Sequence, residues 1–253
     1  MIYLITPTGA RPQQIIHCAE WMKNQTYTGD VTWIIIDDCL PLTTDFITEN
    51  FKDNWKIIKI YPKPAWQRGM NTQSRNISAG IDIVSRIATE NDVIFIIEDD
   101  DYYTPSYLTK MVKKLEGYDI AGEMFTFYYN IIIRRYTVCR NTWSSLFQTA
   151  FTPAIIPILE KLYGMKFIDM ELFKLVNNKN LFKDEYLAIG IKGQPGRAAV
   201  GRAHGRIMSW TADPELKKLR SLIGEDVNYY LKYYGMDFRS NILTGRKSLL
   251  HRK

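Results

Sequence analysis

The run Glu98-Asp99-Asp100-Asp101 places four carboxylates in succession directly after the apolar stretch Ile94-Phe95-Ile96-Ile97. Acids packed this closely repel one another unless a cation or dense hydrogen bonding compensates. An oxygen-only set of this kind suits a hard divalent cation such as Mg²⁺ or Mn²⁺. The alternative is an acidic turn ahead of a helix that begins near Pro105, with Asp101 or Thr104 as its N-cap. A second concentration of chemistry lies in Lys192–His204, where Gly193, Gly196 and Gly201 are interspersed with Lys192, Arg197 and Arg202. Glycines there permit close backbone approach and hinge motion, and the cations suit an anionic ligand.

The elements that must position these residues are legible as a pattern. Tyr3–Thr6, Val31–Ile36, Trp55–Ile60 and Val93–Ile97 read as short buried strands. Between them, Pro12 opens a helical pattern carrying Ile15, Ile16, Cys18, Ala19 and Met22, a second helix is expected over Thr44–Phe51, and a long amphipathic one over Thr72–Ala88. Strands separated by helices imply an α/β fold with a mostly parallel central sheet. Ligands in such sheets sit beyond the carboxyl ends of the strands. That rule brings Thr6–Arg11, Asp37-Asp38 and Glu98–Asp101 to one edge.

The second half is less regular. Strands are expected at Met124–Tyr129, Ile131–Val138 and Tyr186–Ile191, and helices at Ala150–Tyr163, Met170–Val176, Pro214–Leu222 and Asp226–Tyr234. The chain is 253 residues long and 46% hydrophobic, enough for one full core. No apolar run approaches the ~20 residues that span a bilayer. Its N-terminus lacks a basic leader and reads as the first strand. Three cysteines, Cys18, Cys39 and Cys139, without metal-type spacing, fit reduced thiols in a cytoplasm. The net charge of +6 favours an anionic substrate or a polyanionic partner.

Four motifs in order carry a resemblance: Ile5-Thr6-Pro7-Thr8-Gly9-Ala10-Arg11-Pro12, Ile34-Ile35-Ile36-Asp37-Asp38, Ser74-Arg75-Asn76, and the acidic run followed by Pro105 and Leu108. Together they resemble a family-2-type glycosyltransferase of the GT-A fold, over about the first 115 residues. The resemblance implies a Rossmann-like sheet flanked by helices with an irregular acceptor region. Residues 1–115 would be the nucleotide-sugar half, 116–212 the acceptor and catalytic half with a mobile loop at 192–206, and 213–253 a helical basic extension.

The same resemblance assigns roles. Thr6, Pro7, Thr8 and Arg11 would line the nucleotide pocket, and Asp38 or Asp37 would accept the N3–H of a uracil-type base. Arg68 and Arg75 would contact the diphosphate, with Lys192, Arg197 and Arg202 closing over it. Asp100 would ligate Mn²⁺ or Mg²⁺, with His204 as a further ligand and Asp99 toward the ribose or a metal-bound water. Two carboxylates compete for the role of base: Asp169 by position and Asp226 by the Glu225-Asp226 signature. The implied activity is metal-dependent transfer of a sugar from a nucleoside-diphosphate sugar, a UDP-sugar, to an acceptor hydroxyl. Hydroxymethylated bases in phage DNA are one acceptor class, and small molecules, proteins or envelope glycans are others. From a different function class, a nucleic-acid-binding protein with a degenerate fold of this type would show salt-sensitive DNA binding and no turnover.

Overall fold

Every residue of β1 (Ile2–Thr8) and of β2 (Val31–Asp37) is buried. Continuous apolar strands of this kind belong to parallel sheets covered on both faces. Alternate side chains serve two separate cores: Ile2, Leu4, Trp33, Ile35 and Phe95 pack on one face, and Tyr3, Ile5, Ile34, Ile36, Ile94 and Ile96 on the other. The protein is described here by a computed structural model covering residues 1–39, 47, 51–165, 167–183, 185–194 and 210–234.

The first half follows the expected alternation, with α1 (Pro12–Lys23), β3 (Trp55–Ile60), α2 (Thr72–Val84) and β4 (Val93–Ile96). Beyond it come β5 (Tyr102–Tyr103), α3 (Tyr107–Leu115), β6 (Ile120–Glu123), β7 (Phe125–Asn130), β8 (Arg135–Arg140) and β9 (Thr149–Phe151). The remainder comprises α4 (Ile156–Glu160), α5 (Ile168–Leu175), β10 (Lys179–Phe182), β11 (Ala188–Lys192), β12 (Thr211–Ala212), α6 (Lys217–Ile223) and α7 (Val227–Tyr234). Among the described residues these strands form a seven-stranded sheet, β10-β6-β9-β4-β1-β2-β3, and a five-stranded one, β12-β8-β7-β11-β5. The first is parallel except at β9, which runs against both of its neighbours.

Register delivers the site. Thr8 pairs with Asp37 across β1 and β2, and Ile5 pairs with Ile96 across β1 and β4. Counting on from Ile96 sets Asp99 beside Thr8. Helix α2 reaches this edge because Gly80 lets it settle on the sheet. A Cβ at Gly80 would lie 2.5 Å from Ile5 Cγ2 and 2.9 Å from Ile36 Cδ1. Asn71 caps the helix by accepting the Ser74 N–H at 3.1 Å, and Asn76 Nδ2 donates to the Thr8 and Ile36 carbonyls at 3.0 and 3.4 Å.

Several expectations for the second half change. Ala150–Tyr163 is not one helix: β9, a 3-10 turn at Pro153–Ile155 and the short α4 share it. Pro153 and Pro157 each remove a backbone donor, and strand pairing with β4 and β6 takes the apolar start. The strand expected at Ile131–Val138 begins only at Arg135, after a turn held by Asn130 Oδ1, which accepts from the N–H groups of Ile132 and Ile133. The helix expected to end at Ala88 ends at Val84. Helix α3 is capped neither by Asp101 nor by Thr104 but starts after Ser106, with Asp101 engaged elsewhere. The helix expected at residues 44–51 falls mainly outside the described residues.

Glu123 at the end of β6 is the anchor that leads the chain into β11. Its carboxylate accepts the N–H groups of Glu185, Tyr186 and Leu187 at 2.8, 2.6 and 3.1 Å, with Tyr186 in the left-handed region at φ 46°. The Glu123→Ala variant, which leaves these donors without their acceptor, is expected to lose about 3 kcal/mol of unfolding free energy in urea titrations.

Candidate active site

The acidic run links the two sheets, leaving the first at β4 and entering the second at β5. Its backbone is fixed locally. Ile97 N–H still donates to the Ile5 carbonyl at 2.9 Å, Glu98 N–H donates to the Tyr103 hydroxyl at 2.8 Å, and Asp101 N–H donates to the Glu98 carbonyl at 3.4 Å. The four carboxylates therefore fan apart toward different partners. Asp99 accepts from Thr8 Oγ1 at 2.5 Å and lies 2.9 Å from the Arg11 guanidinium. Asp100 lies 2.7 Å from the same Arg11 nitrogen. Asp101 accepts the Ile191 N–H at 2.9 Å and pairs with Lys192 Nζ at 3.1 Å. Glu98 accepts from Gln73 Nε2 at 2.7 Å.

Among the described residues two cations thus face the four acids, Arg11 from just beyond β1 and Lys192 from the end of β11, so the acids outnumber them by two. Burial pushes Glu98 up to about 7 and Asp99 up to about 6, against the pull of Lys192 and Arg11 respectively. Burial also acts upward on Asp101, which stays well above the usual carboxylate range despite Lys192. Asp100 alone moves the other way: Arg11 and Lys192 outweigh its burial and hold it below its ordinary value. Burial disfavours the cationic forms of Arg11 and Lys192, and the acids more than reverse this, raising both.

One oxygen from each of Glu98, Asp100 and Asp101 lies within 4.8 Å of the others. Asp101 Oδ2 is buried without a hydrogen-bond partner among the described residues. Three convergent carboxylates and an orphaned oxygen fit a hard divalent cation. Asp99 stands outside this set because Thr8 and Arg11 hold its two oxygens.

The other residues singled out by sequence fall into three groups. Thr6, Pro7, Thr8, Asp37, Asp38 and Arg75 all lie at the common edge. Thr6 Oγ1 accepts from Trp33 Nε1 at 2.9 Å, Asp37 accepts the Cys39 N–H at 3.0 Å, and Arg75 NH1 lies 3.8 Å from Asp38. Arg75 also donates to the Pro62 carbonyl at 2.9 Å and to that of Pro64. Arg68 is exposed on the connection ahead of α2. Lys192 is the last residue of β11 rather than part of a loop, while Arg197, Arg202 and His204 lie outside the described residues.

The two competing carboxylates occupy different places. Asp169, near the start of α5, lines a cavity of about 220 Å³ together with Glu98 and Lys192, and its burial raises its pKa. Asp226 instead accepts from the Tyr102 hydroxyl at 3.0 Å and is not part of that cavity's lining. The same cavity takes in Asn71, Gln73, Tyr128 and Ser145, none of which the sequence singled out. Gln73 had a local signal, since it adjoins the Ser74-Arg75-Asn76 motif. Tyr128 and Ser145 had none: the pairing of β7 with β11 brings in Tyr128, and Ser145 comes from the turn ahead of β9.

The model of Glycosyl transferase family 2 matches residues 3–152. The chain belongs to Glycosyl transferase family 2. Among solved structures, S. aureus TarS 1–349 in complex with UDP-GlcNAc superposes with a TM-score of 0.54 at 13% identity, covering 98% of this chain and 77% of that one. TarS 1–349 in complex with UDP gives 0.52 at 12% identity, covering 98% and 75%. A longer S. aureus TarS chain gives 0.51 at 13% identity, covering 75% of this chain, which spans only 36% of that protein's length. At such identity the likeness is one of fold, the GT-A fold with its central sheet flanked by helices. No curated protein sequence matches the chain. The match to Glycosyl transferase family 2 includes Arg11, Arg75 and the acidic run, and stops short of Asp169, Lys192 and Asp226.

Arg11 gives a direct check on the electrostatics. Glu98 and Asp99, raised above the value of about 4 expected in an unfolded chain, make the folded protein hold extra protons, so stability falls as pH rises from about 4 to about 7. Arg11 offsets that loss. Arg11→Met is expected to cost about 3 kcal/mol at pH 8 and clearly less at pH 5.5, where the acids take up protons instead. Urea unfolding at the two pH values measures it, and an equal cost at both would contradict the assignment.

Proposed function

We propose that the chain transfers a sugar from a UDP-sugar to an acceptor hydroxyl, with a divalent cation, Mn²⁺ or Mg²⁺, held by Asp100, Asp101 and Glu98. The observation that carries this reading is the convergence of Glu98, Asp100 and Asp101, one oxygen of each within 4.8 Å of the others, at the carboxyl edge of a mostly parallel sheet. TarS, which shares the fold, is known in complex with UDP-GlcNAc and with UDP, and this supports the choice of donor. A bound cation at the run supplies charge neutralisation to the departing diphosphate.

The remaining work falls to side chains of this protein. Thr6, Pro7 and Thr8 border the nucleotide, and Asp37 or Asp38 reads the base edge. Arg11, Arg75, Arg68 and Lys192 supply positive charge toward the diphosphate, with Arg197, Arg202 and His204 as contributors from the following segment. Asp169 is the base that takes the proton from the acceptor hydroxyl as its oxygen attacks the anomeric carbon. Its burial in the cavity shared with Glu98 supports that role, because a carboxylate with a raised pKa is the stronger base. Asp226 positions Tyr102, directly after the acidic run. Residues 1–115 form the donor half and residues 116–212 the acceptor half. The acceptor we favour is DNA carrying hydroxymethylated bases, a reading supported by the net charge of +6.

UDP release in the presence of Mn²⁺ and a panel of UDP-sugars, with and without hydroxymethylated duplex DNA, tests both levels. Asp100→Ala is expected to abolish cation-dependent release. Asp169→Asn is expected to lower kcat by about 10²- to 10⁴-fold with donor binding kept, while Asp226→Asn stays within about tenfold of wild type. No release from any donor would overturn the transferase reading. Release stimulated by glycans or small molecules and not by modified DNA would overturn the acceptor alone.

A further inference from the structure

Three hydroxyl groups form a chain in the wall of the cavity. Thr126 Oγ1 lies 3.3 Å from Ser145 Oγ, which lies 3.0 Å from the Tyr128 hydroxyl. Thr126 and Tyr128 share one face of β7 because they are two residues apart. All three are buried, yet Ser145 and Tyr128 line the cavity that also contains Glu98, Lys192 and Asp169. The Tyr128 ring is held in place, with Lys192 Nζ 5.5 Å from its centre and 5.7 Å from that of Phe147. Neither Ser145 nor Tyr128 has a part in the chemistry described above.

The protons of this chain can run in either direction, since each pair leaves open which atom donates. A hydroxyl has one donor and two acceptor positions. Two protein neighbours occupy two of the three at Ser145. Whichever way the chain runs, Ser145 donates once and accepts once within it, so the position left over is an acceptor. A ligand hydroxyl can donate to it, whereas a carbonyl cannot.

The cavity lies between the acidic run and Asp169, so a ring attached to a diphosphate at the run would enter it. Its volume of about 220 Å³ is small, below the roughly 300–1,000 Å³ of pockets that hold drug-sized ligands. It suits one ring, and Phe147 gives that ring an apolar wall.

We propose that Ser145 and Tyr128 are specificity-determining residues that read a hydroxyl on the transferred sugar ring of the donor. This rests on the reading of the chain as a nucleotide-sugar transferase. It goes further by assigning the choice of sugar to two residues in the second half of the chain.

Calorimetric titration of wild type, Ser145→Ala and Tyr128→Phe with UDP and with UDP-glucose, UDP-galactose and UDP-GlcNAc, all with Mn²⁺, tests it. The affinity for UDP is expected to stay within about twofold, which also reports an intact fold. The affinity for the preferred UDP-sugar is expected to fall about 3- to 10-fold in each variant, the range of one neutral hydrogen bond. Acceptor-free hydrolysis of the same three donors should then show their order of preference flattened or changed. Equal weakening of UDP and UDP-sugar, or no change in either, would overturn the assignment, the first by pointing to a purely structural chain. If Ser145→Ala fails to fold because Thr126 loses its partner, Tyr128→Phe carries the test. A wild type that binds no UDP-sugar removes the transferase reading itself, whereas wild-type binding with unaltered variants removes only this inference.

Discussion

Four carboxylates in four consecutive residues, Asp99 and Asp101 buried and Glu98 and Asp100 half-buried, answered by two cations among the described residues, set the terms for the rest of the molecule. Such a cluster folds only if each acid finds its own partner. The structure meets this by drawing partners from distant segments: Thr8 at the end of β1 and Arg11 just beyond it, Gln73 from α2, and Ile191 and Lys192 from β11. Gln194 also donates to the Asp100 carbonyl at 2.5 Å. The parallel register of β1 and β4 puts Thr8 and Asp99 at the same level, and the Glu123 anchor feeds the chain toward β11. Much of the fold serves to deliver compensating groups to one turn.

The partners differ in kind. Arg11 spans Asp99 and Asp100 from the first sheet, and Lys192 neutralises Asp101 from the second. Asp99 is consumed by these contacts, while Glu98, Asp100 and Asp101 keep oxygens facing one another. The region matched by Glycosyl transferase family 2 supplies the acids and Arg11, and the part beyond it supplies Lys192, Asp169 and the second sheet's strand β11. The acids, Arg11 and the cavity residues Tyr128 and Ser145 are therefore drawn from the family's shared segment, and Lys192 and Asp169 from beyond it.

This division explains what could be read from the sequence. Strands β1, β2 and β4 announce themselves because each is an apolar run ending in polar residues, and their alternation with helices makes them parallel, although the order β4-β1-β2-β3 is not sequential. The edge holding Thr8, Asp37 and Asp99 follows from that. Asp101 and Glu98 were visible as acids, but not that Glu98 and Asp101 would face Asp100 while Asp99 turned away, since that depends on Thr8 and Arg11 taking both oxygens of Asp99. Tyr128, Ser145 and Gln73 were missed, the first two because pairings between residues far apart in sequence bring them in. Ala150–Tyr163 misled because its apolar content suits a strand and a helix alike, and only the open position between β4 and β6 decides for β9. The choice between Asp169 and Asp226 was open in the sequence because both sit at helix starts, where acids are common for reasons unrelated to chemistry.

The bridging position of the acidic run has a consequence for how such a protein can change over generations. Its carboxylates are the candidate reactive centre and also the rivet between two sheets, because Arg11 and Lys192 grip it from opposite sides. Losing Asp101 takes from Lys192 its ion-pair partner, so the damage to folding arrives together with the damage to chemistry. A lineage drifting away from catalysis would keep these acids as scaffold and shed residues such as Asp169, which no cation of the run grips. In relatives of this chain the acidic run is therefore a poor gauge of whether the enzyme still works, and the far wall of the cavity is the better one.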